Sequence, residues 1–227
     1  MKTIIVIGGS KGIGRALIQK LLTSCRVINI SRSTPEISHN QLTHHSCDIT
    51  KDDLPNINQA DGLVYCPGSI NLKPFTRLSI DDFKNDFEIN VLGAVKVIQK
   101  YLPILKNGNH PSIVLFSTVA AKLGMPYHAS IAVAKSGIEG LVKSLGAELA
   151  PYIRINAIAP TVTNTELAAK LLRNDKMVEN IKERHPLKKF LSSEEVANMA
   201  VFLLSESCAS MSGQIFEMDC GIVSFKI

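Results

Sequence analysis

The residues best suited to chemistry stand at the start of the chain, where Gly8, Gly9, Gly12 and Gly14 punctuate the run GGSKGIG. Directly before them, Thr3 to Ile7 is short, apolar and β-branched, as a fully buried parallel strand should be. After Gly12, the apolar residues Ile13, Ala16, Leu17 and Leu21 recur at helical spacing. Strand, glycine turn and helix make half of a βαβ unit. The free N–H groups and positive dipole end of such a helix face whatever sits above the turn, and a phosphate suits both. Glycine is required because a β-carbon would block the tight turn, the approach of a pyrophosphate, or helix–strand packing. A mononucleotide P-loop needs Lys directly after its last glycine, followed by Ser or Thr. Here Lys11 precedes Gly12, which excludes that reading and leaves a dinucleotide.

A second set of charges bears on which dinucleotide. The next apolar strand, Arg26 to Ile30, ends in Ser31-Arg32-Ser33, at the place where this fold meets the adenosine ribose. A carboxylate there selects the 2′-hydroxyl of NAD, whereas an arginine accommodates the 2′-phosphate of NADP. Arg32 follows Gly14 by 18 residues, no acid comes before Glu36, and Lys11 adds a cation, so NADP(H) is favoured over NAD(H). Further on, Asn90 sits mid-helix beside an apolar stripe. A buried asparagine needs partners, so it either bonds a neighbouring strand or organises a site water.

The elements that must position these residues alternate throughout. Strands are expected at Leu42 to Cys47, Gly62 to Tyr65, Ser112 to Phe116, Ile153 to Ile158 and Gln214 to Met218. The segment between the strands ending near Cys47 and starting at Gly62 holds Pro55 and has room for a helical turn or two. A long helix starts after Ser79 as N-cap, with Asp81 and Asp82 in its first turn and Phe83, Phe87, Val91, Val95 and Ile98 as its stripe. A second runs from about Tyr127 to Ala150, and Ser193 to Leu204 opens with a capping pattern. Residues 165 to 190 read as helical and mobile and include Arg184-His185-Pro186-Leu187. This alternation predicts an α/β, Rossmann-like doubly wound parallel sheet with helices on both faces, one domain over residues 1–227.

Composition sets limits on the setting. With 45% hydrophobic and 20% charged residues, the chain reads as soluble and globular. No stretch of 18 apolar residues occurs and the first strand begins at once, so neither membrane anchor nor signal peptide is expected. Cys25, Cys47, Cys66, Cys208 and Cys220 lack metal-site spacing, and an odd set of thiols fits a reducing cytoplasm. A net charge of +5, scattered apart from groupings such as Lys188-Lys189, excludes a nucleic-acid footprint.

With these motifs in order, the chain resembles the short-chain dehydrogenase/reductase family over essentially its whole length. GGSKGIG looks like that family's cofactor turn, which implies cofactor contacts from Gly8, Ser10, Lys11, Gly12, Ile13 and Gly14. Asp48 and Ile49 look like its adenine-contacting pair, and Cys66-Pro67-Gly68 occupies the place of its Asn-Ala-Gly motif. Asn90 matches its helix asparagine and Asn156-Ala157-Ile158-Ala159-Pro160 its sixth-strand motif. Pro160, Val162 and Thr165 are thereby expected at the cofactor, Thr165 near the nicotinamide amide. Gly213-Gln214 through Asp219 matches its final strand.

The resemblance also implies a catalytic set of Asn, Ser, Tyr and Lys, in which the tyrosine protonates the carbonyl oxygen and the lysine binds the nicotinamide ribose and lowers the tyrosine's pKa. Asn90 and Lys135 match, and Thr118 stands where the serine should be, beside Ser117. Four residues before Lys135, however, stands Ile131, which has no proton to give. Tyr127 and His128 are the candidates to replace it. Tyr127 lies eight residues before Lys135, about 12 Å along a helix axis, too far for ready tuning by the lysine. His128 is closer, and its ordinary pKa suits proton transfer near neutral pH.

The expected function is therefore an NAD(P)(H)-dependent oxidoreductase of a small carbonyl or alcohol, with an altered proton donor. A cofactor-binding sensor or scaffold without turnover is the alternative, and a lyase or isomerase the third. No metal, nucleic acid or membrane partner is expected. The family pairs its two long helices across two-fold axes. Apolar residues on more than one face here (Val95, Ile98, Leu102; Ile138, Leu141, Leu145) predict a homodimer or homotetramer.

Overall fold

The computed structural model describes residues 1–225. The apolar runs become strands β1 (Thr3–Ile7), β2 (Arg26–Ser31), β3 (Leu42–Ser46), β4 (Gly62–Tyr65), β5 (Ser112–Phe116) and β6 (Arg154–Pro160). Two-residue strands β7 (Thr163–Asn164) and β8 (Leu191–Ser192) pair apart from the main sheet, and β9 (Ile215–Met218) closes it. The sheet runs β3-β2-β1-β4-β5-β6-β9, parallel throughout. Its order reverses between β1 and β4, and a crevice opens at such a switch point beyond the carboxyl ends of the strands.

Successive residues of β1 serve two cores, one on each face. Ile5 and Ile7 pack with residues of helices α3 (Gly93–Leu105) and α4 (Ala129–Leu149). Ile4 and Val6 pack with α1 (Gly12–Leu21) and α6 (Ser193–Leu204). The remaining helices are α2 (Ile80–Phe87) and α5 (Asp175–Arg184). The doubly wound α/β architecture expected from the sequence is thus present.

Local details depart from expectation in four places. The long helix after Ser79 is not continuous, because a π-turn, Glu88–Leu92, joins α2 to α3. Within it, the Asn90 side chain donates to the Asp86 carbonyl at 2.7 Å, inserting a side chain into the helical ladder. The extra residue rotates the stripe. Asp86, Asn90, Val91, Ala94, Val97, Ile98 and Tyr101 face inward, while Phe83 and Val95 are only half-buried and Phe87 is exposed. Second, the segment between β3 and β4 forms no helix. It runs in turns and extended chain tied to α3, with Lys96 donating to the Ile49 and Asp52 carbonyls and Tyr101 to that of Pro55. Third, α4 starts at Ala129, because Tyr127 takes a left-handed backbone, φ +69°, that no helix accepts. Fourth, Ile98 and Ile138 fill the chain's own core, and among the described residues Ile80, Phe87, Leu92 and Val133 are the large apolar residues left exposed on these helices.

Candidate active site

The glycine turn is built by close contacts that a side chain would abolish. A β-carbon on Gly14 would lie 2.3 Å from the Gly8 carbonyl oxygen, so helix α1 can meet the turn only as glycine. Gly8 and Gly12 take positive φ, +77° and +50°. The buried Asn29 of β2 accepts from the Gly9 N–H at 3.0 Å, and the Gly8 N–H donates to the Ile30 carbonyl at 2.8 Å. The N-cap of α1, Lys11, makes no side-chain cap, and the first turn carries no acid. The first N–H groups of α1 therefore face outward uncapped, as an anionic pyrophosphate requires.

Around this turn the structure gathers most of the expected cofactor residues. Ser33, at the end of β2, donates to Ser10 at 3.0 Å, bringing exposed Arg32 and Lys11 to one rim. Asp48 is held below the usual carboxylate range by hydrogen bonds from Thr50, with Arg32 adding a smaller pull. Ile49 packs in the core, so its side chain points away from the crevice. The Pro67 ring lies over Gly8, and a β-carbon on Gly68 would meet Asn90 Oδ1 at 3.3 Å and Lys135 Nζ at 3.6 Å. Thr165 rests against Gly12. These residues fit a nicotinamide dinucleotide in shape and in the chemistry of their donors.

Beyond Gly68 lies a cavity of about 180 Å³. Its lining includes Ile13, Cys66, Gly68, Thr118, Pro160, Val162 and Thr165, with His128 at the N-cap of α4 and Ile131 and Lys135 on it. Lys135 is 8% exposed and donates to the Phe116 carbonyl at 2.9 Å. Burial lowers its pKa to about 8, opposed by nearby acidic groups, of which Asp86 is the carboxylate. Burial also pushes the Cys66 thiol up to about 12. Asn90 is 1% exposed and donates to Ser69 Oγ, while its Oδ1 is buried without a partner. Thr118 caps a short turn by accepting from the Ala120 N–H. Ser117 instead donates to Glu139 at 2.6 Å, which occupies its hydroxyl outside the catalytic set.

The two candidate donors separate clearly. Tyr127 is 59% exposed and outside the cavity lining; its carbonyl accepts from the Lys73 N–H. His128 lines the cavity, with Nδ1–H donating to the Pro126 carbonyl at 2.7 Å, which leaves Nε2 free. Ile131 is buried beside them. Sequence reasoning missed Ser69 and Asp86, which meet Asn90 beside the cavity. The only available signal was the four-residue spacing from Asp86 to Asn90, which puts both on one helix face. It also missed the role of His185, buried, accepting from Thr161 and donating to the Ile181 carbonyl, which ties α5 to the exit of β6.

Among the described residues, no group of three or more His, Cys, Asp or Glu could hold a metal, and no helix is long and apolar enough to cross a membrane. The family model for enoyl-(acyl carrier protein) reductase matches residues 42–223. Carbonyl reductase [NADPH] 2 of Sus scrofa is 28% identical, the alignment covering 97% of this chain and 96% of that one. A tropinone reductase homologue of Arabidopsis thaliana is 30% identical over 97% of this chain and 78% of its own length. Among solved structures, a short chain dehydrogenase family protein from Francisella tularensis superposes with a TM-score of 0.90 at 27% identity, covering 99% of this chain and all of that one.

Proposed function

The chain belongs to the short-chain dehydrogenase/reductase family, whose similar members are oxidoreductases, and we propose that it is itself an NADP(H)-dependent oxidoreductase of a small carbonyl or alcohol. The observation that carries this reading is the cavity in which Lys135, Thr118 and Gly68 with Asn90 behind it meet the glycine turn. A bound nicotinamide would supply the hydride there. The chain's own residues do the rest: the turn and the start of α1 hold the pyrophosphate, Lys135 the nicotinamide ribose, and Thr118 orients the substrate oxygen. Ile131 means that the proton comes from another group, since its side chain carries none. Exposed Arg32 and Lys11 support NADP(H) over NAD(H), as does the NADPH in the pig relative's name.

The surroundings are read in the same way. Exposed Phe87, Leu92 and Val133 support a homo-oligomer, and five free cysteines support a reducing, cytoplasmic setting. Ile131 favours one competing reading, a binding protein that holds NADP(H) without turnover.

Two measurements test the proposal. Fluorescence titration should show NADPH binding more tightly than NADH, and Arg32→Ala should weaken NADPH by about tenfold or more, the loss of roughly one charge-assisted bond of 1.5–3 kcal/mol. Equal losses for both cofactors would remove the assignment of Arg32. Oxidation of NADPH should accelerate with a panel of ketones and diketones. Tight NADPH binding with no turnover on any of them would favour the sensor.

A further inference from the structure

With no proton on residue 131, the site needs another route for one, and where α2 packs on α4 beside the cavity there is an unusual cluster. Asp86 is 2% exposed on α2, one turn before Asn90. Ser69 Oγ donates to Asp86 Oδ1 at 2.5 Å and accepts from Asn90 Nδ2 at 3.0 Å, and Ser69 lines the cavity. Asp86 Oδ2 and Asn90 Oδ1 are both buried with no partner among the described residues. Burying a carboxylate with half of its acceptor sites unmet is costly, and a merely structural position would be better filled by an apolar or hydroxyl side chain. Lys135 stands close by, its Nζ flanking the same Gly68 position as Asn90 Oδ1, and its charge is coupled to that of Asp86.

We propose that Ser69 and Asp86 form the proton-transfer pair of this site, Ser69 meeting the substrate oxygen and Asp86 holding the proton behind it. The inference rests on the oxidoreductase reading above. As drawn, Ser69 gives its proton to Asp86 and accepts from Asn90, which leaves one lone pair for a substrate hydroxyl. In alcohol oxidation the substrate O–H bond breaks and its proton moves to Ser69 Oγ. The Ser69 proton moves to Asp86 Oδ1, and a bound nicotinamide nucleotide would take up the hydride that the carbon loses. In carbonyl reduction the same O–H bonds form and break in reverse: the oxygen takes the Ser69 proton, Ser69 takes one from the Asp86 carboxyl, and solvent reprotonates Asp86 between turnovers. Asn90 fixes the Ser69 hydroxyl, and Asp86 in turn favours the charged form of Lys135. Ser69 is thus the catalytic residue and Asp86 acts through it.

The test uses the whole chain with NADPH and 2,3-butanedione or 1-phenyl-1,2-propanedione as carbonyl probes. Ser69→Ala and Asp86→Asn should each lower kcat by about 10²–10⁴, the usual loss of a general acid, with NADPH affinity nearly unchanged. Ser69→Thr keeps the hydroxyl and should recover most of the rate, and the double variant Ser69→Ala with Asp86→Asn should fall no further than either single one. A readout apart from turnover is the Lys135 amine, followed by NMR titration of labelled lysine: Asp86→Asn should move it below about 8, because a negative charge beside it is gone. Should Asp86→Asn not fold, the two Ser69 variants decide alone. Wild-type rates in Ser69→Ala and Asp86→Asn, with turnover lost in His128→Ala, would overturn the pair and place the donor on α4. An unmoved Lys135 titration would overturn Asp86 as the charge. A wild type that binds NADPH and reduces neither probe nor the wider ketone panel would overturn the oxidoreductase reading, and the pair with it.

Discussion

The two halves of the crevice are built by different means. The cofactor half is made of backbone: glycines at φ values other residues resist, uncapped N–H groups at the start of α1, and the carboxyl ends of β1 and β2. The substrate half is made of side chains from five separate places, the loop after β4, α2 behind it, β5 with its following turn, α4, and the segment from the end of β6 to Leu171. A backbone site tolerates few changes at few positions. A side-chain site can exchange one functional group while its neighbours stay, and on the proposed reading Ile131 beside Lys135 is such a case. Recognition of a dinucleotide and delivery of a proton are therefore separable in this fold.

The sharpest way to break that contrast is Gly14→Val. Its β-carbon would sit 2.3 Å from a backbone oxygen, where no rotamer change relieves the clash. Helix α1 must move off the turn, and overpacking of this kind costs about 3 kcal/mol or more. Urea unfolding should report that loss, and titration should show NADPH binding lost as well. A variant of wild-type stability that still binds NADPH would mean that the turn is more pliable than its contacts imply.

Legibility in the sequence follows the same division. The glycine spacing, the buried β1 run and the cap at Ser79 are local signals, and each appears where it was read. The helix break at Glu88–Leu92 was not readable, because it depends on the Asn90 side chain entering the backbone ladder. Asp86 was hidden for a related reason. An aspartate in the second turn of a polar helix reads as solvated, and only the packing of α2 on α4 and the loop after β4 buries it. Tyr127 misled in the opposite direction. The sequence placed it at the start of the second long helix, though too far from Lys135 for ready tuning, and its left-handed backbone sends α4 off without it.

Lys135 ties the two halves together, and its burial should be visible in the pH dependence of stability. Its pKa in the folded chain is about 8, against an ordinary 10.5. Between those values the unfolded chain holds a proton that the folded chain has lost, so stability rises with pH there. Below about pH 8 both states are protonated and the penalty of burying the charge is fully present. The rise attributable to this one group is up to about 3 kcal/mol, at 1.36 kcal/mol per unit. Urea unfolding of wild type and Lys135→Met at pH 7 and near pH 10 isolates it, because other groups titrate in both proteins. Parallel curves would show that Lys135 keeps its proton in the fold, and that the cavity is wetter than its lining suggests.

The finest test restores what the α4 wall lacks. Ile131 is 5% exposed and borders both the cavity and Lys135, so a tyrosine there would have open space for its ring on one side only. Overpacking should cost about 1–3 kcal/mol of stability, read by urea unfolding. The Lys135 charge would favour the tyrosinate, so the new phenol should titrate below its ordinary value of about 10. With two routes for the proton, ketone reduction should rise in Ile131→Tyr by about tenfold, a small part of the 10²–10⁴ that a missing acid removes. The gain should survive Ser69→Ala, because the tyrosine carries its own proton on a separate element. A gain that disappears with Ser69 would mean that the walls act as one unit, and the separability of the two halves would stop at the cofactor.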